Sequence, residues 1–355
     1  MRALSTQEML MKKVFVSLVE CIPGMRIAET VFNEYGAVIV AEDAVLDRHI
    51  IKQIENLGVI KIKVYDNMND MIIVSGTELF RAQYNKNLSN VKDILHDIST
   101  GRDIDIQKVN EVSDSIITRI NENRDIVSSI NQMRSIDDYT YTHSVNVSLL
   151  CMLIGKWMKF DYFKVKKLVH AGFLHDIGKG KIPPEILNKP DKLTKDEFEE
   201  IKKHPVYGFK LAEAIPNLDD AILKGILMHH EREDGSGYPF GIKGPQIHEF
   251  AKIIAVADIY DAMTSNRVYR GKKSPFDVFE LMERDSFGIL DPKVTAAFLS
   301  NIATYYIGDF VKLNTGGIGE IIYINPSNIS QPIIKADDVY IDLTHETNVK
   351  ILELI

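Results

Sequence analysis

Five histidines and two aspartates each arrive at or near a predicted helix: His143, His175 with Asp176, His204, His229 with His230, and Asp258. This pattern constrains the fold most, because a helix whose apolar stripe carries a histidine or carboxylate delivers that polar group to the core, where it needs a partner. His143, Val147, Leu150 and Ile154 recur at spacings of four, three and four, which puts the histidine on the inward face of its helix. Val165, Leu168, Gly172 and His175 form a second inward stripe; Gly172 permits close backbone approach, and Gly178 and Gly180 end the helix beyond Asp176. Thr194 and Glu197 read as a capping box opening a helix that stops at His204, where Pro205 disfavours helical geometry. Asn217, Asp219 and Asp220 start the next helix, whose Ile222, Ile226 and Leu227 lead into His229 and His230. Ile254, Asp258, Asp261 and Ser265 share one face of a largely apolar helix. Any one of these polar groups is explained by an ordinary buried hydrogen bond. Together they read as a metal cluster, and mixed imidazole and carboxylate donors suit iron, manganese, nickel, cobalt or zinc without choosing among them.

Two further motifs accompany the cluster. Ile177-Gly178-Lys179 follows His175-Asp176, and Glu231 to Pro239 follows the paired histidines, ending in Gly237-Tyr238-Pro239. In the His-Asp doublet, the Gly-Tyr-Pro loop and the histidines between them, the chain resembles the HD-GYP family of metal-dependent cyclic dinucleotide phosphodiesterases over roughly residues 130–305. The resemblance implies that His143, His175, Asp176, His204, His229, His230 and Asp258 hold two divalent ions, iron first and manganese or another transition metal as the alternative, with Asp176 bridging. Some members bind a third metal through a glutamate four residues before the first histidine; this chain has Tyr139 there, leaving Asp137 and Asp138 as the remaining candidates. Asp176 and Lys179 are the expected catalytic residues, with Lys179 on the phosphate. Tyr238 is expected to pack against a base, Asp261 to accept from a base or from Arg267, and Arg267 and Arg270 to bind guanine or phosphate. The implied reaction is metal-assisted hydrolysis of cyclic di-GMP to pGpG, GMP or both, the metals and Lys179 stabilising the charge that develops. Other readings are a non-catalytic cyclic dinucleotide receptor, a phosphohydrolase of mononucleotides or guanosine alarmones, and a hydrolase of another cyclic dinucleotide such as cyclic GMP-AMP.

The rest of the chain frames this centre. With 355 residues of which 45% are hydrophobic, more than one domain is expected. A formal charge of −8 argues against a nucleic-acid polymer as partner. The longest apolar stretch, Val147 to Ile154, is too short for a bilayer, so a cytoplasmic protein is expected. Cys21 and Cys151 read as isolated buried thiols. The fold class expected is mainly α: an HD-domain helical bundle over 135–306, a small N-terminal α+β domain over 1–70, a helical connector over 71–134, and a C-terminal β subdomain over 307–355. The N-terminal order reads strand (Val14 to Val19), turn at Pro23-Gly24, hairpin around Gly36, helix (Asp47 to Leu57, ended by Gly58), strand (Val59 to Val64). In the connector Ile94, Ile98, Ile116, Ile117, Ile120, Ile126 and Ile130 recur at helical spacing on two helices broken near Gly101; a linker, the first helices of the bundle, and the seam of a homodimer all stay open. At the C-terminus, Phe310 to Leu313, Ile321 to Ile324, Val339 to Leu343 and Val349 to Leu354 read as strands, with hairpin glycines at Gly316, Gly317 and Gly319.

Overall fold

The computed structural model describes residues 13–18, 21, 23–32, 38–57, 59, 61–65, 70–102, 106–120, 127, 139–265, 274–285, 288–337 and 339–355. Gly36, Gly58, Ile126, Ile130, Asp137, Asp138, Arg267 and Arg270 lie outside these residues.

The N-terminal unit follows the expected order. β1 (Lys13–Ser17) pairs antiparallel with β4 (Lys61–Tyr65), while β2 (Val31–Phe32) and β3 (Val38–Val40) form a second antiparallel pair. α1 (Arg48–Asn56) comes between β3 and β4 in the chain, its start fixed by the Asp47 carboxylate accepting from the Ile50 N–H at 2.7 Å. Val16, Leu18, Ile27, Leu46, Ile54, Ile62 and Val64 close a small core of their own. One edge of this unit meets the C-terminal part of the chain: Lys61 Nζ donates to the Ile307 carbonyl at 2.7 Å, and Lys63 pairs with Glu320 at 3.3 Å.

α2 (Asp70–Thr100) and α3 (Ile106–Ile120) pack against each other across the break at Gly101, whose φ of +73° is the left-handed conformation that ends a helix. They are more than a connector. Tyr84, Val91 and Ile94 of α2 and Val109, Val112, Ile116 and Ile117 of α3 are buried in the same apolar cluster as the helices that follow, because a stripe of that width needs a partner and the neighbouring helix faces supply it. That stripe is therefore used inside the chain. The bundle continues with α4 (Tyr139–Trp157), α5 (Tyr162–Leu174), a 3₁₀ turn (Ile177–Lys181), α6 (Pro184–Leu187), α7 (Lys195–Ile201), α8 (His204–Glu213), α9 (Asp220–Met228), α10 (Glu249–Thr264), α11 (Pro275–Asp285) and α12 (Pro292–Ile302). α4 packs along α5 and α10, and α9 bridges α5, α8 and α10.

The C-terminal sheet is antiparallel throughout, in the order β8-β7-β6-β5-β9, built from β5 (Phe310–Leu313), β6 (Ile318–Asn325), β7 (Asn328–Ala336), β8 (Val339–Asp342) and β9 (Ile351–Leu354). β7 is the strand that the sequence pattern hides. Pro332 interrupts it, and a proline normally demotes a run to non-strand; here the register against β6 shifts around the matching position and absorbs it. Val311, Leu313, Ile321, Ile324 and Ile334 face inward and join the bundle core.

Candidate metal centre

Five of the ligand residues sit at helix boundaries, for local reasons, while His143 and Asp258 lie within α4 and α10. α5 ends at Leu174, with His175 as its C-cap, and Asp176 caps the 3₁₀ turn that follows. The helix therefore stops before Asp176, earlier than expected. Gly178 serves a different purpose from helix termination: a Cβ there would run into the backbone carbonyl of His204, so glycine lets the turn press against the start of α8. Gly172 allows α5 to approach α4 as expected, a Cβ there falling 2.9 Å from the Ser148 Cα. The Thr194–Glu197 capping box forms, but Pro205 does not simply stop a helix at His204. It lies in the first turn of α8, where its missing N–H costs no helical bond, so His204 opens α8. Asp219 caps α9, and His229 follows as its C-cap.

All seven candidate ligands converge, in two groups whose donor atoms lie within 4.8 Å of one another: Asp176, His204, His229 and His230; and His143, His175 and Asp258. Asp176 faces both. Its Oδ1 lies 3.3 Å from His204 Nε2 and 3.9 Å from His229 Nε2, while its Oδ2 lies 3.3 Å from His175 Nε2 and 3.6 Å from His143 Nε2. His143 Nε2 is also 3.1 Å from Asp258 Oδ1.

The histidine tautomers follow from what each Nδ1 meets. His175, His204 and His229 donate Nδ1–H to the carbonyls of Gly172, Ile201 and Ile226 at 2.7, 2.8 and 2.7 Å, and His143 donates to Asp261 at 2.8 Å. With the proton on Nδ1, a neutral imidazole at His175, His204 or His229 turns its Nε2 lone pair to the centre, as a metal ligand requires. Burial would lower His143, but its hydrogen bonds to Asp258 and Asp261 raise it to about 9, so a metal there would displace its Nε2 proton. His204 Nε2 and His229 Nε2 stand only 3.3 Å apart, two lone pairs converging on one point. His175 Nε2 and Asp176 Oδ1 are buried with no hydrogen-bond partner, which is costly unless something else binds them. Burial, reinforced by the neighbouring imidazoles, holds His229 well below the ordinary histidine range, and burial does the same for His230, so both are neutral donors. Burial would raise Asp176, but His175 and Lys179 beside it outweigh this and hold the carboxyl well below its usual range; hydrogen bonding to His143 does the same for Asp258. The donor set fits divalent metal ions.

Lys179 reaches the centre from the 3₁₀ turn and forms an ion pair with Asp176 Oδ2. Tyr238 lies over His230, ring centroids 4.6 Å apart and planes 28° apart, so that one face of the phenol ring is already occupied by a candidate ligand. Asp261 is completely buried behind His143, where it also accepts from Asn146 Nδ2 at 3.0 Å; Arg267, its other expected partner, lies outside the described residues. Its place three residues after Asp258 turns it toward α4 because that is where its helical face packs.

Glu231 was not singled out by sequence. It is buried, and its carboxylate accepts from the Phe240 N–H at 2.7 Å and the Ile242 N–H at 3.1 Å, clamping the far side of the Gly-Tyr-Pro loop. Gly237 completes the clamp, since a Cβ there would fall 2.5 Å from backbone atoms of His230, Glu231 and Arg232. The available signal was an acid among loop residues directly after the paired histidines.

The sequence pattern of the HD-domain family matches residues 120–294. Over those residues the chain carries an HD domain. Both HD-GYP motifs stand in it, His175-Asp176 at the centre and Gly237-Tyr238-Pro239 beside His230. It is 33% identical over 69% of its length to a cyclic di-GMP phosphodiesterase from Pseudomonas aeruginosa, covering 59% of that protein. It is 36% identical to 3'3'-cGAMP-specific phosphodiesterase 1 of Vibrio cholerae over 47% of this chain and 39% of that one, and 37% identical to a cyclic di-GMP phosphodiesterase of Thermotoga maritima over 49% and 47%. The chain thus spans between about two fifths and three fifths of the length of these relatives. The fold is shared with a solved HDG"Y"P protein from Bdellovibrio bacteriovorus, with a TM-score of 0.52 at 15% identity over 81% of this chain and 98% of that one. Among the described residues, no helix is long and apolar enough to cross a membrane.

Proposed function

We propose that this HD-domain protein is a metal-dependent phosphodiesterase that opens cyclic di-GMP. The observation that carries the reading is the divided carboxylate of Asp176, with one oxygen toward each of two histidine-rich groups and one of those oxygens lacking any hydrogen-bond partner. In this reading His143, His175 and Asp258 would hold one ion and His204, His229 and His230 the other, with Asp176 available to both and iron the first choice. Bound metals supply Lewis acidity to the phosphodiester and lower the pKa of water. The chain's own residues do the remainder. The carbonyls of Gly172, Ile201 and Ile226 fix the imidazoles; Tyr238 walls off His230; Lys179, with its side chain 28% exposed, lets its ammonium move from Asp176 to a phosphate oxygen. Water adds to phosphorus, the bond to the 3′ oxygen breaks and that oxygen takes the proton, giving pGpG; a second hydrolysis gives GMP. The V. cholerae relatives named cGAMP-specific favour one other substrate, 3′3′-cGAMP.

The test is to purify the protein anaerobically, count its metals and incubate it with cyclic di-GMP, 3′3′-cGAMP, linear dinucleotides and mononucleotides. About two ions per chain, iron predominant, and rapid conversion of cyclic di-GMP to pGpG are expected, matching the two ligand groups. Binding without turnover by fully loaded protein would make it a receptor, and preferential cleavage of 3′3′-cGAMP would replace the substrate.

A further inference from the structure

A file of buried polar groups runs from α2 to the metal centre. Tyr84 Oη donates to Asn146 Oδ1 at 2.8 Å, Asn146 Nδ2 donates to Asp261 Oδ1 at 3.0 Å, and Asp261 Oδ2 accepts from His143 Nδ1 at 2.8 Å. Tyr84 is 3% exposed, Asn146 1%, Asp261 0% and His143 2%, so bulk water does not substitute for any of these bonds. The directions agree along the whole file. Asp261 accepts from both neighbours, which fixes the Asn146 amide with its oxygen toward Tyr84 and holds the His143 proton on Nδ1. Asn146 lies three residues after His143, on the same face of α4.

We infer that Tyr84 is a positioning residue of the metal centre, acting on His143 through Asn146 and Asp261. This rests on the metal-centre reading above and extends it beyond the HD-domain match, which begins only at residue 120. The physical reason is that a ligand's orientation and basicity depend on what its other ring nitrogen meets, and outer-shell partners of metal ligands change affinity by about 10- to 100-fold when removed. Asp261 is one bond from His143 and Tyr84 three bonds, so the effect of Tyr84 is the smaller. α2 follows β4 directly in the chain and also packs on the 3₁₀ turn that carries Lys179. The helix between the N-terminal unit and the bundle therefore touches both the ligand file and the turn.

Metal affinity, measured by chelator competition on the full-length protein with manganese or cobalt, separates the possibilities. Tyr84→Phe removes only the hydroxyl and leaves the ring in place. It should weaken one of the two ions by about fivefold, the equilibrium equivalent of one neutral hydrogen bond, and shift the visible absorption of the cobalt form. Asp261→Asn should weaken the same ion by about 10- to 100-fold. Val91→Ala, also buried on α2 but outside the file, should lower the thermal midpoint of the metal-free protein and leave both affinities unchanged. Unchanged affinities in Tyr84→Phe, equal weakening of both ions, or the same loss in Val91→Ala would overturn the inference. Failure of the underlying reading would show in the wild type itself, as absence of metal binding or of hydrolysis.

Discussion

At the scale of single residues, four of the five imidazoles of the centre have a carbonyl or carboxylate for the Nδ1 proton; burial keeps His229 and His230 neutral, and charged or hydrogen-bonding neighbours keep Asp176 and Asp258 ionised. Asp176 stays ionised although fully enclosed, because His175 and Lys179 outweigh the cost of desolvation. Among the described residues Lys179 is the one lysine or arginine paired with it, so two roles compete: holding the carboxylate, or meeting substrate phosphate. Lys179→Met should keep metal content and slow hydrolysis by roughly a hundredfold, the scale of losing one preorganised charge-stabilising donor. Metal counting alongside single-turnover kinetics decides between them, and loss of metal together with activity assigns the lysine to the cluster. Glu231 poses a different question, since it touches the loop and not the metal groups. Glu231→Ala should leave both ions bound, raise KM by about tenfold or more and speed proteolysis within the loop, because hydrogen bonds to a charged acceptor contribute about 1.5–3 kcal/mol each. The inward direction of Asp261 was legible from helical spacing. Its burial behind His143 was not, because spacing gives a face of α10 and not what packs against that face.

At the scale of elements, α5 carries ligands at its end and a second histidine in its middle. His170, packed against Phe173 near the Lys166–Asp114 ion pair, is buried with Nε2 unpartnered, and burial lowers its pKa to about 4. The unfolded chain, with an ordinary histidine near 6.5, takes up this proton first as pH falls. The contribution of neutral His170 to stability is therefore complete above about pH 6.5 and is lost as pH falls toward 4. Between pH 7 and pH 5 the wild type should lose about 1–2 kcal/mol more than His170→Asn, read as the difference between their denaturation curves. Equal pH dependence in the two proteins would remove His170 from the account. Elements differed in how readily they could be read. The N-terminal strands and α1 were legible because alternation, the Asp47 cap and turn residues agree locally. β7 was hidden by Pro332, whose tolerance depends on the pairing with β6.

At the scale of the whole molecule, the bundle has an apolar core independent of the metal groups, running from α2 through α12 into the C-terminal sheet. Chelation should accordingly lower the thermal midpoint without unfolding the protein: free metal at a hundred times its Kd stabilises by about 2.7 kcal/mol, and that increment is what removal forfeits. Helical circular dichroism that collapses on chelation at room temperature would show instead that the cluster nucleates the fold. The sequence alone determined the helical bundle, the seven polar groups on or beside its helices and the β character of both termini, since periodicity, caps and motif spacing are encoded locally. Only the tertiary structure decided that α2 and α3 belong to the bundle core, that the seven groups divide into two sets about Asp176, and that Tyr84, Asn146 and Asp261 stand behind His143. Those outcomes depend on which faces meet across long stretches of chain, and burial of apolar area favours such meetings without naming the partners in advance.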